Sequence, residues 1–253
     1  MTEFYFALAH TTIDRRSFGS RPGQAHLVAL HHYRTWAAMR DVTKPRKWCL
    51  DSGAFEAFSQ GKPLTYEMWH EVASVCDADE IFGLDVIGDP KATRANVERA
   101  WADGIRAIPT FHYGSPWEYL EWAATSAPKL ALGGVARRKD TERMPWITEC
   151  FRRAWPVRAH GFGIASASGV NTVPFHTVDA SSWFAGARRF KRHTAFSKGQ
   201  LGKVKGVRVP SASMDDLAGE IDAYLQLEKW AQFKWRKEME LLSSLPTDWF
   251  VKR

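Results

Sequence analysis

One pattern recurs along the whole of this chain. Short apolar runs occur eight times along the sequence, most of them followed by a polar loop and a helix-like stretch. The apolar runs are 4–10, 26–31, 48–51, 81–86, 107–111, 130–134, 159–164 and 175–178. Several are apolar over four or five consecutive residues, as strands buried on both faces are in a parallel sheet covered by helices. Helical patterns fill the intervals at 33–41, 65–76, 90–103 and 141–155, with Pro145 placed in or near the first turn of the last. Ser115-Pro116-Trp117-Glu118 has the spacing of a capping box with proline at the first helical position, so a helix is predicted from there to about 126. Residues 11–25 are rich in Gly, Pro, Ser and Arg and do not read as helical, and 166–174 are too short for a regular helix. Residues 214–242 are apolar at helical spacing and are expected, as one helix or two, to pack across the barrel as a C-terminal cap.

Eight strand–helix units predict an α/β fold, a closed (β/α)8 TIM barrel in a single domain with a C-terminal helical segment. A chain of 253 residues suits that architecture, which takes about 250. The barrel is expected over about 1–190, with a basic loop and C-terminal helices over about 188–253. Three widely separated cysteines without C-x-x-C spacing argue against a disulfide framework and against a zinc site of closely spaced cysteines, so no metal is predicted. His10, His31 and His32 read as structural or rim residues. The N-terminus lacks the basic and apolar segments of a signal peptide, and no apolar run approaches the ~20 residues of a membrane span. A cytoplasmic protein without membrane contact is the expectation.

The formal net charge of +7 favours a polyanionic partner, nucleic acid first. Its distribution is informative. Residues 180–214 contain no acidic residue but carry Arg188, Arg189, Lys191, Arg192, Lys198, Lys203, Lys205 and Arg208. Arg137 and Arg138 extend the basic character beside an earlier strand end. These residues are candidates for phosphate contacts. Trp183 reads equally as a base-stacking or a core residue.

In such a barrel, chemistry collects at the C-terminal ends of the strands. Three of those ends carry an aspartate: Asp51, Asp85 and Asp179. An Asp after a strand is often only a helix cap, but three facing one mouth are a different matter. Mutual repulsion and burial drive their pKa values apart, so one can act as nucleophile while another carries a proton. Cleavage of a glycosidic bond by double displacement requires that division. A barrel glycosidase or nucleosidase shares the requirement, and a catalytically silent nucleic-acid-binding barrel is the remaining alternative.

Taken in order, the strand-end motifs resemble the tRNA-guanine transglycosylase superfamily, over about half the chain. Asp51-Ser52-Gly53-Ala54-Phe55 is similar to the family's D-S-G-G-F segment, with Ala54 in place of the second glycine. Leu84-Asp85 resembles its purine-reading aspartate, Gly133-Gly134-Val135 its G-G-L turn, His160-Gly161-Phe162-Gly163-Ile164 its Y-L-M-G-V strand, and Val178-Asp179-Ala180 its nucleophile strand. His112 stands about where the family has a base-contacting Gln. The resemblance implies Asp179 as nucleophile and Asp51 as general acid and base. It also implies a guanine held between Phe55 and Phe162 and read by Asp85, His112 and the backbone of Gly133 and Gly134. No cysteine follows Cys150, so the zinc segment of the tRNA enzymes is missing. In that respect, and in its shortness, the chain resembles the deazaguanine DNA transglycosylases of bacterial modification clusters and phages. The implied function is exchange of guanine in DNA for a 7-deazaguanine such as preQ0, without a cofactor and with accessory modification proteins as possible partners. The same exchange on tRNA is the alternative.

Overall fold

The computed structural model describes residues 1–8, 11–135, 138–183, 194–204 and 214–247. Nine parallel strands form the central sheet: β1 (Glu3–Leu8), β2 (Ala25–Ala29), β3 (Lys47–Asp51), β4 (Glu80–Phe82), β5 (Ala107–Ile108), β6 (Thr110–His112), β7 (Lys129–Gly133), β8 (Arg158–Gly161) and β9 (Thr177–Ala180). Their order is β5-β4-β3-β2-β1-β9-β8-β7-β6. The two ends of that order, β5 and β6, are separated only by Pro109. Proline has no N–H to give the ladder, so one stave is divided in two. The Pro109 carbonyl still accepts from the Ala131 N–H at 2.8 Å. The sheet therefore closes on itself as the expected TIM barrel of eight staves.

Alternation along each strand sends one set of side chains inward. Tyr5, Leu27, Cys49, Phe82, Ile108 and Ala131 pack together inside the barrel, with Phe162 against them. Burying a ring such as Phe82, 1% exposed, contributes about 1.5–3 kcal/mol. Below this layer Lys129 pairs with Glu80 at 2.6 Å, and the Tyr5 hydroxyl donates to the same carboxylate at 3.4 Å. Burial pushes Glu80 up, but the Lys129 ammonium outweighs it and holds the carboxyl down at about 2. The outward set packs under the helices and includes Phe4, Phe6, Trp48, Phe111 and Val178.

Helix starts follow local chemistry. Thr65 accepts from the Met68 N–H ahead of Tyr66–Ala73, and Asp89 accepts from the Ala92 N–H ahead of Pro90–Ala102. The predicted capping box at Ser115 does not form. Pro116 is the cap of Trp117–Ser126 and makes no side-chain cap bond. Pro145 lies inside Asp140–Ala154, past its first turn. The segment expected to be irregular after β1 is a helix, Thr11–Ser20. Its weak helix formers are overridden by packing: Phe18 is fully buried and stacks edge-on against Phe6 and Trp183. A short helix, Ala167–Thr172, likewise forms where none was expected, capped by Ser166 accepting from the Gly169 N–H.

The C-terminal segment is two helices, Met214–Lys234 and Arg236–Ser244, parted at Trp235, whose indole N–H donates to the Val170 carbonyl at 2.7 Å. Met214–Lys234 does not cap the barrel. It lies in the outer ring, where Leu217, Ile221 and Tyr224 join the core packed on β1. At the N-terminal end of the barrel Glu228 pairs with Arg46, Gln232 donates to the Thr2 carbonyl, and the Leu245 and Pro246 carbonyls accept from Arg158. Part of the predicted basic loop is an antiparallel hairpin, β10 (Thr194–Ser197) and β11 (Gln200–Lys203). It is fixed to the outside of the barrel by Glu220, which binds the Thr194 N–H and hydroxyl, and by Asn171, which donates to the Gly199 carbonyl. Among the described residues no helix is long and apolar enough to cross a membrane.

Candidate active site

The staves deliver the three aspartates to one mouth. Asp51 ends β3, Asp179 lies in β9, and Asp85 follows β4 by three residues. Each sits in a different environment.

Asp51 is the most perturbed. Burial, then the negative charges of Asp85 and Asp179, push its carboxyl up to about 8, and the backbone N–H groups of Gly53 and Ser52 offset this only in part. At neutral pH it holds a proton. The chain leaves β3 through Gly53, whose φ of 77° suits glycine. A side chain there would also meet His31 Nδ1 at 3.1 Å.

Asp85 is held from both sides. The Ser52 hydroxyl donates to Oδ1 at 2.5 Å, and His112 Nε2 lies 2.8 Å from Oδ2. Both members of the Asp85–His112 pair are nearly buried. His112 keeps its place because Gly133 lies alongside it. A Cβ at Gly133 would stand 3.1 Å from His112 Cδ2 and 3.2 Å from Thr110 Cγ2. Gly134 turns the chain at φ 77°, while the Gly133 carbonyl accepts the Tyr113 N–H at 3.0 Å. That carbonyl keeps a second lone pair.

Asp179 is buried at 6% exposure. Its Oδ1 accepts the Gly163 N–H at 2.8 Å, and His160 Nε2 approaches the same oxygen at 3.4 Å, too long for a well-formed hydrogen bond. His160 is fully buried, and burial lowers its pKa against the opposing pull of Asp179. The imidazole is therefore neutral. Thr177 Oγ1 sits 2.8 Å from Nδ1. A carboxylate only accepts, so the favourable tautomer carries its proton on Nε2, facing Asp179, and takes the Thr177 hydroxyl proton at Nδ1.

Phe162 forms the floor of the mouth, with ring centroids 4.7 Å from Phe82 and 4.6 Å from His160. Phe55 stands on the rim, 53% exposed, in the first turn of Ala54–Gln60. Arg138 lies over the Tyr113 ring at 3.8 Å and pairs with Glu142 at 3.6 Å. Trp183 is a core residue, its indole N–H donating to the Ala7 carbonyl. His10, Arg137, Arg188, Arg189, Lys191, Arg192, Lys205 and Arg208 lie outside the described residues.

The structure thus gathers Asp51, Asp85, Asp179, His112, Gly133 and Phe162, and adds Ser52, His160, Thr177 and Gly163. The signal for two of the additions was alternation: His160 is two residues before Phe162 and Thr177 two before Asp179, so each pair shares the inner face. A cavity of about 520 Å³ at the opposite end is lined by Glu3, Arg46 and Glu228, where Arg46 pairs with Glu3 at 3.0 Å and with Glu228 at 2.8 Å.

No family profile matches the sequence, and neither does any curated protein. The crystal structure of a Coccidioides immitis protein assigned as a fructose-1,6-biphosphate aldolase is similar at a TM-score of 0.44 and 15% identity, over 94% of this chain and 89% of that one.

Proposed function

We propose that this protein is a pentosyltransferase that exchanges guanine in DNA for a 7-deazaguanine base. The observation that carries the reading is the division of labour among three carboxylates at one mouth. Asp51 is protonated near neutral pH, Asp85 is clamped by Ser52 and His112, and Asp179 is oriented from below by Gly163 and His160. The order of strand-end motifs supports the same reading.

The target base leaves the stack and enters the mouth, where Phe162 offers a flat face and Phe55 closes from the rim. Each carboxylate oxygen has two acceptor positions. Asp85 can therefore keep Ser52 and His112 while accepting the N1–H and exocyclic amine of guanine. The described contacts of Asp179 engage Oδ1, which leaves Oδ2 to attack C1′. As the C1′–N9 bond breaks, Asp51 protonates N9 and becomes a carboxylate. It then takes the N9 proton of the incoming 7-deazaguanine. N9 attacks C1′, the aspartyl ester breaks, and Asp179 returns as a carboxylate. Bonds and protons balance without redox chemistry.

The choice of DNA over tRNA is supported by residues 151–253, which hold no cysteine around the strand of Asp179 or in the stretch after it, and so resemble the zinc-less branch. Arg137, Arg138, Arg188, Arg189, Lys191 and Arg192 are the candidates for neutralising phosphates around the flipped base. On this reading the protein works in the cytoplasm of a bacterium or of a phage-infected host. The test is incubation with labelled guanine or preQ0 and either DNA or tRNA. Incorporation into DNA is expected, together with a covalent protein–DNA adduct on denaturation that Asp179→Asn does not form. Incorporation into tRNA alone moves the substrate, and no exchange into either overturns the proposal.

A further inference from the structure

We propose that His31, His32 and Glu56 form a binding site for one divalent transition-metal ion of the zinc class on the rim of the mouth. The site is separate from the three aspartates and does not depend on the transglycosylase reading. His31 and His32 lie in the single turn Leu30–His32 that follows β2, and Glu56 lies in the helix Ala54–Gln60 that follows β3. These staves are neighbours, paired up to Ala29 with Asp51. Two loops far from each other's motifs are thereby brought to one place.

The donor atoms converge. His31 Nε2 hydrogen-bonds Glu56 Oε2, and His32 Nε2 lies 3.6 Å from the same oxygen. All three donors fall within 4.8 Å of one another. Ligands at the usual 2.0–2.1 Å from a tetrahedral zinc stand about 3.3 Å apart. His32 and Glu56 are already close to that spacing, and the His31–Glu56 contact opens to it by a small side-chain rotation. The side chains are 37%, 28% and 38% exposed, so nothing packed has to give way.

The chemistry of the set selects the metal. Two imidazole nitrogens and one carboxylate match zinc sites that keep an open position, whereas calcium and magnesium call for an all-oxygen shell. A supporting bond is also present. Gln60 Nε2 donates to Glu56 Oε1 at 2.6 Å, which fixes the carboxylate with Oε2 turned to the histidines. His31 and Glu56 also line a cavity of about 250 Å³ with Arg34 and Lys62. The fourth coordination position opens there, where Arg34 is paired with Glu71 at 3.5 Å and Lys62 suits an anionic oxygen as the exogenous ligand.

The experiment is titration of the metal-free full-length chain with Zn2+ by calorimetry, and with Co2+ by its visible absorption. One equivalent is expected to bind with micromolar affinity or better, Co2+ giving the intense bands of a four-coordinate site. His32→Ala and Glu56→Gln should each weaken binding at least tenfold, and Gln60→Ala by about tenfold. His70→Ala should change nothing, although His70 faces a carboxylate, Asp103, at the same 3.6 Å spacing. Absence of stoichiometric binding by the wild type, or wild-type affinity in both His32→Ala and Glu56→Gln, leaves the cluster as an ion pair and overturns the site. Circular dichroism of each variant confirms that it is folded.

Discussion

Replacing Asp51 with Asn isolates one consequence of the crowded mouth. In the folded protein, burial and the charges of Asp85 and Asp179 raise this carboxyl from 3.8 to about 8. In the unfolded chain it titrates near the lower value. Between the two, the folded state holds a proton that the unfolded state has lost. Stability from this group is therefore fully present below about pH 4 and falls by about 1.36 kcal/mol per pH unit until pH passes the folded value. Across the three units from about pH 5 to pH 8 the wild type gives up about 4 kcal/mol. Asparagine has no proton to lose and keeps a carbonyl for the N–H groups of Ser52 and Gly53. The stability of Asp51→Asn minus that of the wild type should thus rise by about 4 kcal/mol over the same interval. Glu228, raised to about 7 chiefly by burial, titrates in this window too, but it is common to both proteins and cancels. Urea unfolding followed by tryptophan fluorescence at several pH values measures the difference. Parallel pH profiles for the two proteins would refute the claim that Asp51 is protonated at neutral pH, and with it Asp51 as the acid of the proposed exchange.

Lys129→Met leaves Glu80 buried without its ammonium and should cost about 3–5 kcal/mol in urea unfolding, most of which returns in the Glu80→Gln, Lys129→Met double variant. Wild-type stability from this pair is complete above the ordinary Glu value of 4.5 and is lost as pH falls toward about 2. Gly133→Ala puts a methyl 3.1 Å from the His112 ring and should cost about 1–3 kcal/mol by overpacking while displacing His112 from Asp85. Calorimetry with the free base should then show weaker binding, and unchanged affinity would take His112 out of base recognition.

Where the sequence was legible, a local pattern carried the information. Eight apolar runs announced eight staves, and Asp51, Asp85 and Asp179 were visible because the C-terminal end of a strand is a position that can be counted. What was not legible depends on distant partners. Thr11–Ser20 is helical because Phe18 finds Phe6 and Trp183, the second of them 165 positions further along the chain than Phe18 itself. The break of the fifth stave at Pro109 was written in the residue type, but its closure depends on the pairing of Pro109 with β7. His160 beneath Asp179 requires the β8–β9 register that sets His160 opposite Thr177. His31 and His32, read as structural or rim residues, meet Glu56 only through the β2–β3 register.

The interior of the barrel can be followed upward as a sequence of charge states. Glu80 and Lys129 cancel at the bottom, and the layer above is apolar, with His160 neutral within it. No cation of that interior column reaches the carboxylates at the top, so their repulsion is relieved instead by the proton on Asp51. An oxocarbenium-like transition state gains from negative potential at C1′, whereas the phosphates on either side of it need positive potential. On the proposed reading those opposite demands are met by separate parts of the chain: the carboxylates inside the mouth, and the basic residues that give the whole chain its net +7. A protonated Asp51 serves both ends of that arrangement. It keeps the empty mouth from accumulating a third negative charge, and it supplies the proton that the departing guanine takes. The second role consumes what the first provides, but the esterified Asp179 carries no charge, so the intermediate holds its negative charge on Asp51 and Asp85 where the empty mouth held it on Asp85 and Asp179. The Asp51 carboxylate is then the group that takes the N9 proton of the incoming base as the ester breaks and Asp179 regains its charge.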